Sequence, residues 1–131
     1  MTIHIVKLGS PRTPGEGLRI GTVRRPPRGV AKADFARRNF YDVWLPVLSP
    51  SAPLVAAALS AHDAGSWRRF AQKFRGEMKK ADAARTLDLL AALSRSTSFS
   101  VGCYCEDESH CHRSILRDLL IERGATVGIM A

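Results

Sequence analysis

The feature that most limits what this chain can fold into is a strand, a helix and a second strand following one another in its last third. Phe99 to Tyr104 is a short apolar run that suits a strand. From about His112 to Arg123, the apolar residues Ile115, Leu116, Leu119 and Leu120 recur at helical spacing. Gly124 stands where a left-handed residue ends a helix, and Thr126 to Met130 reads as a final strand. A strand, crossover helix and strand closing within about 30 residues predict a parallel pair with a right-handed connection.

The remainder of the chain fits the same plan. Ile3 to Leu8 and Leu18 to Val23 read as strands, separated by a loop rich in proline and glycine from Gly9 to Gly17. Ala31 to Tyr41 suits a short helix or an irregular segment, and Asp42 to Val47 an extended one whose Trp44 packs on the core. A helix is expected from about Pro53 to Ala61, with Ser49 or Ser51 as its cap and a proline in the first turn. Ser66 is placed to cap the next helix, which lines up Trp67, Phe70, Ala71, Phe74 and Met78 on one face, a stripe that reads as core. A third helix carries Leu87, Leu90, Ala91 and Leu93. The expected fold is therefore α/β: one compact domain over residues 1–131, with a mostly parallel sheet of about four strands and helices packed on it.

Charge and cysteine content narrow the function. Twenty Lys and Arg against twelve Asp and Glu give a net charge of +8, and residues 1–50 carry nine basic and three acidic side chains, or +6 of that total. Such a surface favours anionic partners, so a small anionic ligand is expected and a nucleic acid is the alternative. No apolar run reaches the roughly 20 residues of a membrane helix, and Met1 to Val6 lacks the pattern of a signal peptide, so no membrane partner is expected and the cytoplasm is the expected compartment. Three cysteines, two of them at positions 103 and 105, do not suggest a disulfide framework and fit a reducing compartment. The oligomeric state is left open.

All three cysteines (Cys103, Cys105, Cys111) and two of the four histidines (His110, His112) fall between the strand and the helix of the last third. In a parallel sheet this is where ligands bind, outside the carboxyl ends of the strands and facing helix N-termini. A thiol there, beside His112, Arg113 and Arg117, has its thiolate stabilised. Cys105 and Cys111 are the candidate thiols, His112 a candidate acid or base, and Glu106 a base or an orienter of an arginine. Cys103, deeper in the strand, reads as a small buried hydrophobe.

His110 to Arg117 also spells the His-Cys-five-residues-Arg order of cysteine phosphatases, but without their glycine-rich loop. The same sulfur and imidazole donors are numerous enough for a tetrahedral zinc site, yet the paired turns of zinc ribbons and fingers are missing. No metal ligand set is therefore assigned and no cofactor is expected. The second candidate region is Arg24-Arg25-Pro26-Pro27-Arg28-Gly29, a rigid loop at a strand end whose Arg24 and Arg28 suit an anion clamp together with Arg113. The central expectation is geometric: this loop and the Cys/His cluster share one hollow at the strand tips.

The segment from Gly102 to Leu120 resembles the Cys-Glu, acidic spacer, Cys-His-Arg signature of the domain of unknown function 488 family. Val23 to Val30, with Lys32 and Asp34, is similar to the Arg-x-x-Pro-Arg-Gly segment of its YeaO-like branch. With Trp44, the Ser-Pro-Ser start of the middle helices, Phe70 and Phe74, the resemblance spans nearly the whole chain. It implies a compact α/β domain in which Arg24, Pro27, Arg28 and Gly29 face Cys105, Glu106, Cys111, His112 and Arg113 across a pocket. Val23 departs from the family pattern, which commonly has Asp there. The resemblance implies no particular reaction, and turnover and simple binding both stay open.

Overall fold

The computed structural model describes residues 1–60, 63–105 and 110–129. It contains five strands, β1 (Ile3–Lys7), β2 (Leu18–Gly21), β3 (Val43–Trp44), β4 (Phe99–Cys103) and β5 (Val127–Ile129), and four helices, α1 (Ala52–Leu59), α2 (Ala64–Met78), α3 (Ala81–Leu93) and α4 (His112–Glu122). The strands form one sheet in the order β3-β2-β4-β1-β5, and every neighbouring pair is parallel. The α/β class is as expected. The sheet has one strand more than expected, because the extended segment around Trp44 pairs with β2 as a two-residue edge strand.

The topology differs from the expectation in one respect. Strands β4 and β5 flank α4 in sequence but do not pair; β1 lies between them and pairs with both. A crossover in a parallel sheet can skip over a strand, and the apolar, β-branched β1 is the strand skipped here, next to the middle strand β4.

One face of the sheet is the main core. Ile3 and Ile5 of β1, Ile20 of β2, and Phe99 and Val101 of β4 meet Leu54 of α1, Phe70, Phe74 and Met78 of α2, Leu87 and Leu90 of α3, and Ile115, Leu116, Leu119 and Leu120 of α4. Strand residues two apart share a face, which puts His4, Val6, Arg19 and Ser100 on the other side. A second cluster, Val6, Leu8, Val23, Tyr41, Cys103 and Cys111, is covered by Phe35, Phe40 and Tyr104. Gly102 lets this cluster close, since a Cβ there would stand 2.6 Å from Leu8 Cδ2.

The helix ends explain several boundaries. Asp63, not Ser66, caps α2: its carboxylate accepts the Ser66 N–H at 2.7 Å, so the helix starts at Ala64, ahead of the expected cap. Ser51 occupies the N-cap position of α1, but its hydroxyl makes no capping bond, and the Ser49 hydroxyl turns back to the Pro46 carbonyl. At the end of α4, Gly124 has φ +87°, and the Ala125 and Gly124 N–H groups close on the carbonyls of Leu120 and Ile121, a Schellman motif. Segment 31–41 holds only a 3₁₀ turn, Lys32–Asp34. Trp44 is not core: it is 41% exposed on the edge strand, with its indole N–H donating to the Val23 carbonyl at 2.7 Å.

Candidate functional site

The tips of β1, β2 and β4 are tied together immediately beneath the cysteines. The Thr22 N–H and hydroxyl both donate to the Gly102 carbonyl at 3.0 Å, and the Leu8 N–H donates to the Cys103 carbonyl at 2.8 Å. Cys103 ends β4, Cys105 lies just beyond it, and Cys111 is the N-cap residue of α4, whose first residue is His112. Folding therefore returns Cys111 to the strand end that carries Cys103 and Cys105.

The sulfurs meet there. Cys103 Sγ is 3.7 Å from Cys105 Sγ, Cys111 Sγ is 3.7 Å from His112 Nδ1, and the donor atoms of Cys103, Cys111 and His112 all lie within 4.8 Å of one another. Cys103 and Cys111 are buried, Cys105 is exposed, and all three are free thiols. Cys103 is thus more than a small hydrophobe in a strand; its sulfur belongs to the cluster.

His112 is held by a partner that strand patterns do not show. Its Nε2 is 2.6 Å from the Thr22 carbonyl and 3.2 Å from the Thr22 hydroxyl. A carbonyl only accepts, so Nε2 carries a proton, and Nδ1 faces the Cys111 sulfur. The Phe74 ring packs edge-on against the imidazole at 5.5 Å, and Trp67 packs in the same way against His110. The aromatic stripe of α2 is therefore core along most of its length and a wall of the site at its margin.

Arg113 is buried beside the cluster. It donates to the Val6 carbonyl at 2.8 Å and the Cys105 carbonyl at 2.6 Å, and its Nε has no partner among the described residues. The three thiols titrate as a unit. Hydrogen bonds from Cys103 and Cys111 hold the Cys105 thiol far below its ordinary value, burial opposes them, and the Arg113 charge adds to the lowering. Cys111 is also lowered, by Cys103 first, and against the effects of Cys105 and burial, with His112 helping. Cys103 is pushed far up by its two sulfur neighbours and by burial.

The other expected residues are placed differently. The Arg24 side chain donates to the carbonyls of Pro50 at 3.0 Å and Ser49 at 3.2 Å. It lines an open hollow of about 380 Å³ together with Ser49, Ser51, Glu77, Lys80 and Asp82, and no cysteine lines that hollow. Arg28 is exposed. The two regions meet through backbone: Thr22 contacts His112, and the Tyr104 hydroxyl donates to the Arg25 carbonyl at 3.0 Å. Of the three candidate anion-binding arginines, only Arg113 adjoins the sulfurs. Glu106 lies outside the described residues. Arg68, Arg69, Lys73, Lys79 and Lys80 are exposed along α2 and at its end. No helix among the described residues is long and apolar enough to cross a membrane.

An all-parallel sheet with a sulfur and imidazole cluster at its strand tips defines a small α/β protein built around a cysteine site. A family model described as the active DUF488-N3 subclade matches residues 3–124. The chain belongs to the domain of unknown function 488 family. No curated protein and no solved structure matches it.

Proposed function

We propose that this protein carries out thiol chemistry on a small anionic ligand, with Cys105 as the nucleophile. The observation that carries the reading is the arrangement around that sulfur. Cys105 is the exposed member of a three-sulfur cluster, a second thiol is 3.7 Å away, and a buried guanidinium is anchored on its own carbonyl. Neighbouring S–H donors and a fixed positive charge make a thiolate nucleophilic at neutral pH and draw an anion towards it.

Each residue has a role in this reading. Cys103 and Cys111 donate to the Cys105 thiolate. His112, locked by Thr22, holds its Nδ1 against the Cys111 sulfur, and Arg113 supplies charge and an Nε donor that has no partner among the described residues. Glu106, next in sequence to the nucleophile, serves as the acid or base. Arg28, exposed on the loop whose carbonyl Tyr104 holds, adds positive charge to the approach of the ligand. The description of the matching subclade as active fits a chain that keeps its Cys-Glu and Cys-His-Arg residues. The runner-up partner is a nucleic-acid backbone lying on the exposed basic residues of α2.

The test is alkylation of the reduced, metal-free protein by iodoacetate and by iodoacetamide, with each cysteine followed by peptide mass spectrometry. Cys105 should react first, and its preference for the anionic reagent should exceed that of a small free thiol. Equally slow labelling of all three cysteines, or no preference for iodoacetate, would reject the reading.

A further inference from the structure

The same donors make a second kind of site. We propose that Cys103, Cys105, Cys111 and His112 form a four-donor site for a soft divalent cation, zinc by the chemistry of its ligands. The site rests on geometry alone and does not require Cys105 to be reactive.

A tetrahedral zinc ion with bonds of about 2.3 Å to sulfur and about 2.0–2.1 Å to nitrogen holds neighbouring donors about 3.6–3.8 Å apart. Cys103 Sγ to Cys105 Sγ and Cys111 Sγ to His112 Nδ1 are both 3.7 Å. The two pairs are joined, because the donor atoms of Cys103, Cys111 and His112 lie within 4.8 Å of one another. The three buried donors thus need only small movements to close round one ion, and the exposed Cys105 side chain, already 3.7 Å from Cys103 Sγ, turns in to complete the set.

The surroundings suit a metal as well. A ligating histidine gives its other ring nitrogen to a carbonyl or carboxylate, which sets the tautomer, and His112 Nε2 already does this with the Thr22 carbonyl at 2.6 Å. Three thiolates and one neutral imidazole round a divalent cation carry a net charge of −1. Buried Arg113, whose hydrogen-bond partners among the described residues are the carbonyls of Val6 and Cys105, offsets that charge from behind. Three donor residues are buried, while Cys105 is exposed and gives the ion a way in. Paired chelating turns are not needed here, since a strand end supplies two ligands and a helix start supplies the other two.

A bound metal caps the Cys105 sulfur, so on the reading given above for that residue the ion acts as an off switch. Only this consequence rests on that reading. Two measurements on the reduced full-length chain separate the ideas: zinc titration against a chromophoric chelator, and Cys105 alkylation with and without zinc. One zinc ion per chain is expected. Cobalt(II) should give sulfur-to-metal charge-transfer absorption with the ligand-field bands of a tetrahedral site. Cys105→Ser and His112→Asn should each weaken binding by at least the about 10–100-fold typical of losing an outer-shell partner. Cys105 is exposed, so its variant keeps the fold, and circular dichroism checks both variants. Failure of zinc and cobalt to bind at micromolar metal, a cobalt spectrum without sulfur bands, or wild-type affinity in both variants overturns the site. Fast alkylation without zinc binding sinks the metal site alone; tight zinc binding with slow alkylation of the metal-free protein sinks the thiol reading alone.

Discussion

Arg19 and Arg113 are both buried arginines at the central sheet, but their surroundings differ. Arg19 is fully buried and pairs with the Glu16 carboxylate at 2.5 Å. Its guanidinium also donates to the carbonyls of Ser10 at 2.8 Å, Asn39 at 2.6 Å and Pro11 at 3.5 Å. Arg113 donates to two carbonyls, has no Nε partner among the described residues, and adds its charge beside the Cys105 sulfur. The first arrangement is electrically closed: an ion pair neutralises the charge, and the leftover donors tie two loops to the sheet. The second carries a positive charge that no carboxylate among the described residues neutralises. A satisfied buried ion pair marks architecture, whereas a buried arginine with no carboxylate partner among the described residues, beside thiols, is where the proposed ligand is expected.

The largest effect that tests this contrast is on folding. Arg19→Met strands the Glu16 carboxylate and frees the carbonyls of both loops, so it should cost about 3–5 kcal/mol in urea denaturation, the usual result of breaking one side of a buried pair. Adding Glu16→Leu should recover a large part of that loss, because it removes the stranded charge. A cost for Arg19→Met below about 1 kcal/mol, the range of an exposed pair, would mean that the node is not structural.

Acid should act on the same node with a smaller effect. Burial pushes the Glu16 carboxyl up, but Arg19 and the Thr13 N–H outweigh it, and the group sits below its ordinary value of 4.5. Asp42 is likewise raised by burial and lowered further by Arg12 and the Arg19 N–H, to below its ordinary 3.8. Both groups bind protons more weakly in the fold than in the unfolded chain. Their stabilisation is fully present above the ordinary values and drains away as pH falls through the lower folded ones. The urea midpoint should therefore drop below about pH 4.5, and the drop should shrink in Glu16→Gln. A profile unchanged by that substitution would remove Glu16 from the account.

How legible this molecule is from its sequence follows from what periodicity can and cannot encode. The β-branched runs at Ile3 and Leu18 and the leucine spacing of α4 carry their secondary structure with them, so the α/β class is readable. Three cysteines within nine residues also mark the site directly. Arg19 is different: in Leu18-Arg19-Ile20 an alternating pattern reads it as facing solvent. It is buried because the loops around Ser10 and Asn39 cover the second face of the sheet, and that is a tertiary fact. The same limit applies to Thr22, whose grip on His112 joins residues 90 apart, and to Phe74, whose spacing says only that it faces inward. Counting charges likewise shows an arginine-rich loop but not that Arg24 turns to the carbonyls of Ser49 and Pro50. The order β4-β1-β5 was unreadable for a related reason, since which strands pair is settled by long-range contacts that periodicity does not encode.

The smallest expected effect on stability is the sharpest test of the contrast, because the same change should have a large effect on chemistry. Cys105→Ser alters an exposed side chain past the end of β4, and what holds Arg113 is the Cys105 carbonyl, which the substitution leaves in place. The urea midpoint should stay within about 0.5 kcal/mol of wild type, as for most surface changes. Rapid alkylation should disappear, and the two remaining buried cysteines should label only as fast as the protein opens. If Cys105→Ser instead destabilises the protein as strongly as Arg19→Met, the sulfur cluster is architecture of the same kind as the Glu16–Arg19 pair. Its exposed sulfur would then be a packing element, and the difference between the two arginines would carry no functional meaning.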